Sequence, residues 1–186
     1  AGSSVDYGPR WARALGRDAD PDFLRGIDAT LRRAAGRRLG PLGDPAAEFA
    51  PLKAMGFWLG IATNDAEANA RAQTDALGLS PHLDFLAGYD SGHGRKPAPG
   101  MVTAFAASVG CAPGEVLFVG DSAVDMATAR AAGAVAVGVL CGPAGREELA
   151  SLADHLVADV SAAVALAGRL RAGASPAASA SVLART

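Results

Sequence analysis

Cysteine is nearly absent: Cys111 and Cys141 are the only two in 186 residues. That is too few for a disulfide framework, and it leads to the expectation of a reduced, cytoplasmic setting. Aromatic residues make up 5%, so the core has to rest on Ala, Leu and Val, and the chain carries 44 Ala. No run reaches the ~18 apolar residues needed to cross a bilayer as a helix, so no membrane partner is expected. Neither sign of charge dominates. Lys and Arg number 17 against 19 Asp and Glu, for a net charge of −2. That balance excludes a strongly basic nucleic-acid binder and an acidic disordered tail protein. The opening Ala1-Gly2-Ser3-Ser4-Val5-Asp6 has neither the basic nor the apolar region of a signal peptide, and none is expected. What is plentiful is apolar residues, at 50%, enough to bury the core of one domain, or one domain plus a small insert.

The pattern along the chain changes near residue 50. Before it lie helical spacings and many Arg, with no strand-like run. Phe23, Ile27, Leu31 and Ala35 recur every four residues, which predicts an amphipathic helix over about 22–37. Arg25, Arg32, Arg33, Arg37 and Arg38 would form its solvated face. Gly40-Pro41-Leu42-Gly43 breaks the pattern, and Asp44 and Pro45 are placed to open a second helix reaching about Met55. From residue 57 strands and helices alternate. Strands are expected at 57–62, 83–87, 116–119, 134–140 and 155–158, and helices at about 65–77, 100–109, 121–132, 144–153 and 160–171. Continuous apolar strands separated by helices predict an α/β protein, a parallel sheet covered on both faces. The domain reading is therefore a helical segment 1–50, an α/β core 51–171 and a disordered Ala/Ser-rich tail 172–186.

In an open α/β sheet, ligands bind at the carboxyl ends of the strands. Ala62-Thr63-Asn64-Asp65 follows the first strand, and Gly120-Asp121-Ser122-Ala123-Val124-Asp125 follows the third. Gly92-His93-Gly94-Arg95-Lys96-Pro97-Ala98-Pro99 precedes the helix at 100. Asp121 and Asp125 are four apart at a helix start and so share a face. Two carboxylates there suit Mg²⁺, a hard cation that prefers oxygen ligands, although an N-cap plus an exposed aspartate would read the same way. Thr63 offers a hydroxyl ahead of a helix whose N–H groups can cradle an anion, though Thr63 or Asn64 could merely cap that helix. Lys96, framed by Gly94, Pro97 and Pro99, can neutralise a phosphate oxygen, while most loop lysines are simply solvated. His93 reads as a loop residue, and the two cysteines read as small hydrophobes.

Taken in order, strand-Thr63-Asn64, Arg95-Lys96-Pro97 and strand-Gly120-Asp121-Ser122-x-x-Asp125 resemble the haloacid dehalogenase superfamily, in its phosphoglycolate-phosphatase-like branch. The likeness covers residues 52–168. It implies a Rossmann-like three-layer core with a small helical cap, the role that segment 1–50 would play in part. Leu59-Gly60-Ile61-Ala62-Thr63-Asn64 resembles the family's second motif, whose Thr binds the phosphoryl group. Lys96 resembles the third-motif lysine, and Asp121 and Asp125 resemble the acidic fourth motif that holds Mg²⁺.

The family's first motif has no counterpart. It is an apolar strand followed by Asp-x-Asp-Gly-Thr, the first Asp attacking phosphorus and the second acting as general acid and base. Asp18-Ala19-Asp20 and Asp20-Pro21-Asp22 share only the spacing, and Gly26-Ile27-Asp28-Ala29-Thr30-Leu31 has Gly26 at the nucleophile's place. The resemblance puts that strand in mid-sheet, between those at 57–62 and 116–119. Val182-Leu183 is too short and weak to be expected there, so a segment preceding Ala1 is the expectation. The function implied is a Mg²⁺-dependent phosphatase of a small phosphate monoester, resembling those for phosphoglycolate, acting through an aspartyl-phosphate. Its catalytic set would include Thr63, Asn64, Lys96 and Asp121. A non-catalytic module binding phosphate and Mg²⁺, or a protein partner, is the alternative, and the acidic pair disfavours a metal-independent dehalogenase. The substrate and the oligomeric state are not legible.

Overall fold

The computed structural model describes residues 4–36, 45–173 and 181–184. Three helices come first: α1 (Ser4–Ala14), α2 (Pro21–Gly36) and α3 (Pro45–Ala54). Asp20 caps α2, its Oδ1 accepting the Phe23 N–H at 2.8 Å, a satisfied orphan donor at a helix start. α1 and α2 pack on each other through Ala12 and Ile27, both buried. The expected break at 40–43 and the Asp44 cap lie outside the described residues.

The α/β core follows the expected alternation. Its elements are β1 (Trp58–Ala62), α4 (Glu67–Ala76), β2 (Phe85–Ala87), α5 (Gly100–Val109), β3 (Val116–Gly120), α6 (Ala123–Ala132), β4 (Val135–Val139), α7 (Arg146–Ala150), β5 (His155–Val157) and α8 (Val160–Gly173). Gly110 and Gly133 close α5 and α6 in the left-handed conformation, where a residue without Cβ carries little penalty. One face of the sheet buries Phe118, Met101, Phe105 and Met126 beneath α5 and α6. The other buries Leu59, Leu117, Val119, Val137 and Val139 beneath α3 and α8. Burial on both faces is why β1, β3 and β4 read as unbroken apolar runs.

The sheet has six parallel strands in the order β2-β1-β6-β3-β4-β5. The sixth strand corrects the expectation of a disordered tail over 172–186. α8 extends to Gly173, and Ser181–Ala184 forms β6. The remaining tail residues, 174–180 and 185–186, lie outside the described ones. β6 takes the mid-sheet place for which Val182-Leu183 looked too weak. It pairs with β1 on one side and β3 on the other. Local propensity misleads here because two flanking ladders satisfy its N–H and C=O groups at once, whatever its side chains.

Candidate active site

The site lies at the carboxyl rim of the sheet. Register sets its width: Ile61 of β1 and Val119 of β3 both pair with Ala184, so Thr63 and Asp121 each stand two residues beyond a common partner. The segment 88–99 crosses the same rim and delivers Lys96.

Lys96 is buried, at 4% exposure. Its ammonium donates to the Ala62 carbonyl and to Asp125 Oδ1, each at 2.8 Å, and lies 5.7 Å from the Phe118 ring centre. Asp125 is equally buried, and its Oδ2 accepts from the Ser122 hydroxyl at 2.5 Å. Ser122 is the N-cap of α6, its Oγ receiving the Asp125 N–H at 3.3 Å. Gly120 makes room for this. A Cβ there would lie 2.3 Å from Asp125 Cβ, so any side chain would drive the aspartate off the strand end.

Asn64 grips the loop that carries the lysine. Its Oδ1 accepts the Lys96 N–H at 2.8 Å and its Nδ2 donates to the Lys96 carbonyl at 3.0 Å. The side-chain amide of Asn64, a residue expected to bind phosphate, thus bonds both main-chain groups of Lys96. Thr63 is buried, its N–H bonded to the Ala87 carbonyl at 2.9 Å and its Oγ1 accepting the Asp65 N–H at 3.1 Å. Two of the N–H groups at the start of α4, where an anion cradle was expected, are taken by side chains. Asp65 Oδ1 accepts from Ala66 N and Asp90 Oδ1 from Glu67 N, both at 2.8 Å. Ser91 fastens the same loop by donating to Glu67 Oε2 at 2.7 Å. That bond, then the one from Arg71, holds the Glu67 carboxyl below its ordinary value of 4.5.

Asp121 follows β3 at the same rim. Its Oδ1 is buried and accepts no hydrogen bond among the described residues. The loop after β4 closes over it so tightly that a Cβ on Gly142 would lie 2.3 Å from Asp121 Oδ2. An uncompensated buried carboxylate oxygen is costly, and a hard cation such as Mg²⁺ is the group it fits. Asp125, expected beside Asp121 at that cation, has Lys96 on Oδ1 and Ser122 on Oδ2, because the topology carries Lys96 to its side. No group of three or more His, Cys, Asp or Glu side chains placed for a metal occurs among the described residues. Asp18, Asp20 and Asp22 lie at the α1–α2 connection and the start of α2, not at a strand end. His93 packs beside the Phe85 ring. The acid partner of Lys96 and the clamp by Asn64 were beyond sequence reasoning, as were the loop contacts of Asp90 and Ser91 with Glu67. The Ser122-x-x-Asp125 capping spacing could have signalled that this aspartate turns back to its own helix start.

A parallel α/β core with a lysine, a threonine and an aspartate at one strand rim is the class defined so far. A model of the haloacid dehalogenase-like hydrolases matches residues 13–133, and the chain belongs to that family. Its curated relatives lie in the phosphoglycolate-phosphatase branch. The phosphoglycolate phosphatase of Rhodospirillum rubrum is 42% identical over 108 residues, 58% of this chain and 44% of that protein. That of Escherichia coli is 35% identical over 91 residues, 49% of this chain and 36% of that protein. The chain thus spans less than half the length of these two relatives. Among solved structures, a hydrolase of Pseudomonas syringae superposes with a TM-score of 0.69 at 22% identity, covering 94% of this chain and 80% of that one. A family hydrolase of Deinococcus radiodurans, solved with bound phosphate and sodium, superposes with a TM-score of 0.67 at 24% identity, covering 91% and 74%. These two show the shared fold. No helix among the described residues is long and apolar enough to cross a membrane.

Proposed function

We propose that this chain carries the phosphate- and metal-binding part of a Mg²⁺-dependent, cytoplasmic phosphatase acting on a small phosphate monoester, phosphoglycolate being the model substrate. The observation that carries the reading is the buried Lys96 ammonium, held between Ala62 and Asp125 beside Thr63. A cation fixed in a water-poor site stabilises a phosphoryl group far more than a solvated one does. Lys96 and the Thr63 hydroxyl hold the phosphoryl oxygens, Asp125 and Asn64 position Lys96, and α1 and α2 belong to the cap that shields the substrate. Asp121 would hold Mg²⁺, which when bound neutralises charge on the transferring group. The domain reading is a partial cap over 1–50 on the core 51–171, with the tail amended to include β6.

The aspartate that would attack phosphorus has no counterpart at the strand rim among the described residues. One observation favours the second reading, a phosphate- and Mg²⁺-binding module without turnover: the mid-sheet strand is Ser181–Ala184, which holds no acid. Titration calorimetry with inorganic phosphate and Mg²⁺, beside a turnover assay on phosphoglycolate, tests both. Phosphate binding lost in Lys96→Met and Mg²⁺ binding lost in Asp121→Ala support the shared site, and turnover decides between the two readings. Unchanged affinities in both variants refute the site.

A further inference from the structure

Between the sheet and the helices α3 and α8 lies a cavity of about 190 Å³. Its walls are apolar: Val119, Val137 and Val139 from the sheet, Leu52 from α3, and Ala163 and Ala167 from α8, all buried. Protein interiors hold few voids larger than a water molecule, so a space of this size is exceptional. Water gains little there, because a buried water needs several polar partners and these walls offer none. Cys141 and Val160 also line the cavity and are exposed, which puts its open end at the carboxyl rim of the sheet. Asp121 stands at that end and carries the only charge among the described lining residues. The start of α8, beside Val160, is already met by a carboxylate, Asp159 Oδ1 accepting the Ala162 N–H at 2.8 Å, so it offers little to an anion.

We infer that this cavity is a binding site for a small amine with an apolar body, its hydrocarbon part inside the cavity and its ammonium on the Asp121 carboxylate. Size sets the body. An apolar cavity of ~150 Å³ already holds a benzene ring, so a single ring with a one-carbon arm fits. Charge sets the head. An ammonium meets a charge-assisted hydrogen bond at Asp121, whereas a carboxylate or phosphate head would face it with like charge. Sites for small molecules combine an apolar lining with a few placed polar groups that fix orientation, and that is the composition here. The site differs in chemistry from the phosphate position at Lys96 and Thr63, and it does not rest on the phosphatase reading. If Asp121 holds Mg²⁺ as well, amine and ion compete for one carboxylate.

The probes are benzylamine, benzyl alcohol and benzoate, which share a ring and differ in the charge of the head. Each is titrated by calorimetry into the full chain in metal-free buffer at neutral pH. Benzylamine should bind at least tenfold more tightly than benzyl alcohol, about 1.4 kcal/mol, and benzoate more weakly than either. Asp121→Asn keeps the shape and removes the charge, so it should abolish the preference for the amine while the alcohol binds as before. Ala167→Leu fills the cavity and should weaken both benzylamine and benzyl alcohol at least tenfold. Should it fail to fold, Ala163→Leu on the same wall gives that measurement. Absent binding of benzylamine, equal affinity for amine and alcohol, an amine preference that survives in Asp121→Asn, or unchanged affinities in the filled variant each overturn the inference.

Discussion

Removing the carboxylate of Asp125 strands an ammonium in the interior. The Lys96 and Asp125 side chains are 3% and 1% exposed, so water cannot readily replace the lost carboxylate, and the Ala62 carbonyl at 2.8 Å carries no compensating charge. Breaking a buried pair by deleting one member costs about 3–5 kcal/mol. At about 2–4 °C per kcal/mol for a chain of this size, Asp125→Ala should lower Tm by about 6–20 °C. Lys96→Met leaves the carboxylate with Ser122 and should lower Tm comparably. The double variant removes both charges, so its loss should fall short of the sum of the single losses by about 1–3 kcal/mol. Thermal unfolding followed by circular dichroism on the four proteins measures this cycle. A drop below about 2 °C for Asp125→Ala, or strict additivity in the double variant, would refute the pairing as the reason both groups are buried.

Three further outcomes follow from the same geometry. Asn64→Ala frees both hydrogen-bonding groups of the Lys96 main chain and should cost about 1–3 kcal/mol, read by urea denaturation, with a parallel loss of phosphate affinity in calorimetry. Gly142→Ala drives a methyl group into the Asp121 carboxylate and should weaken Mg²⁺ binding at least tenfold, about 1.4 kcal/mol, while the far-ultraviolet circular dichroism is unchanged. Glu67 is held below its ordinary 4.5 by Ser91 and then Arg71, so it stabilises the fold above pH 4.5 and that contribution is lost as the pH falls through the lowered value. Tm should therefore fall on acidification more in the wild type than in Glu67→Gln, and parallel curves between pH 5 and 3 would count against the Ser91 bond.

The helices and strands from 58 to 173 were legible because each is decided locally. A run such as Val116–Gly120 is apolar throughout and bounded by turn residues, and Gly110 and Gly133 end helices that no other residue ends as cheaply. That Thr63, Lys96 and Asp121 gather at one strand rim was legible because each sits in a short polar segment just beyond or between apolar elements. Their partners were not. Asp125 lies 29 residues from Lys96, and no spacing reveals that the two meet. The same holds for Asn64 and the Lys96 main chain, 32 residues apart.

β6 marks the boundary most clearly. Ser-Val-Leu-Ala has little strand propensity of its own and no turn signal that isolates it. It becomes the middle of the sheet because the facing edges of β1 and β3 each present a row of N–H and C=O groups that must be paired. Composition and periodicity were enough to specify a parallel α/β layer sandwich, since burial on two faces imprints itself on every strand. Which strand occupies the centre, and which acid holds the buried lysine, were settled only by the folded arrangement, because long-range pairing answers to unsatisfied groups elsewhere in the chain.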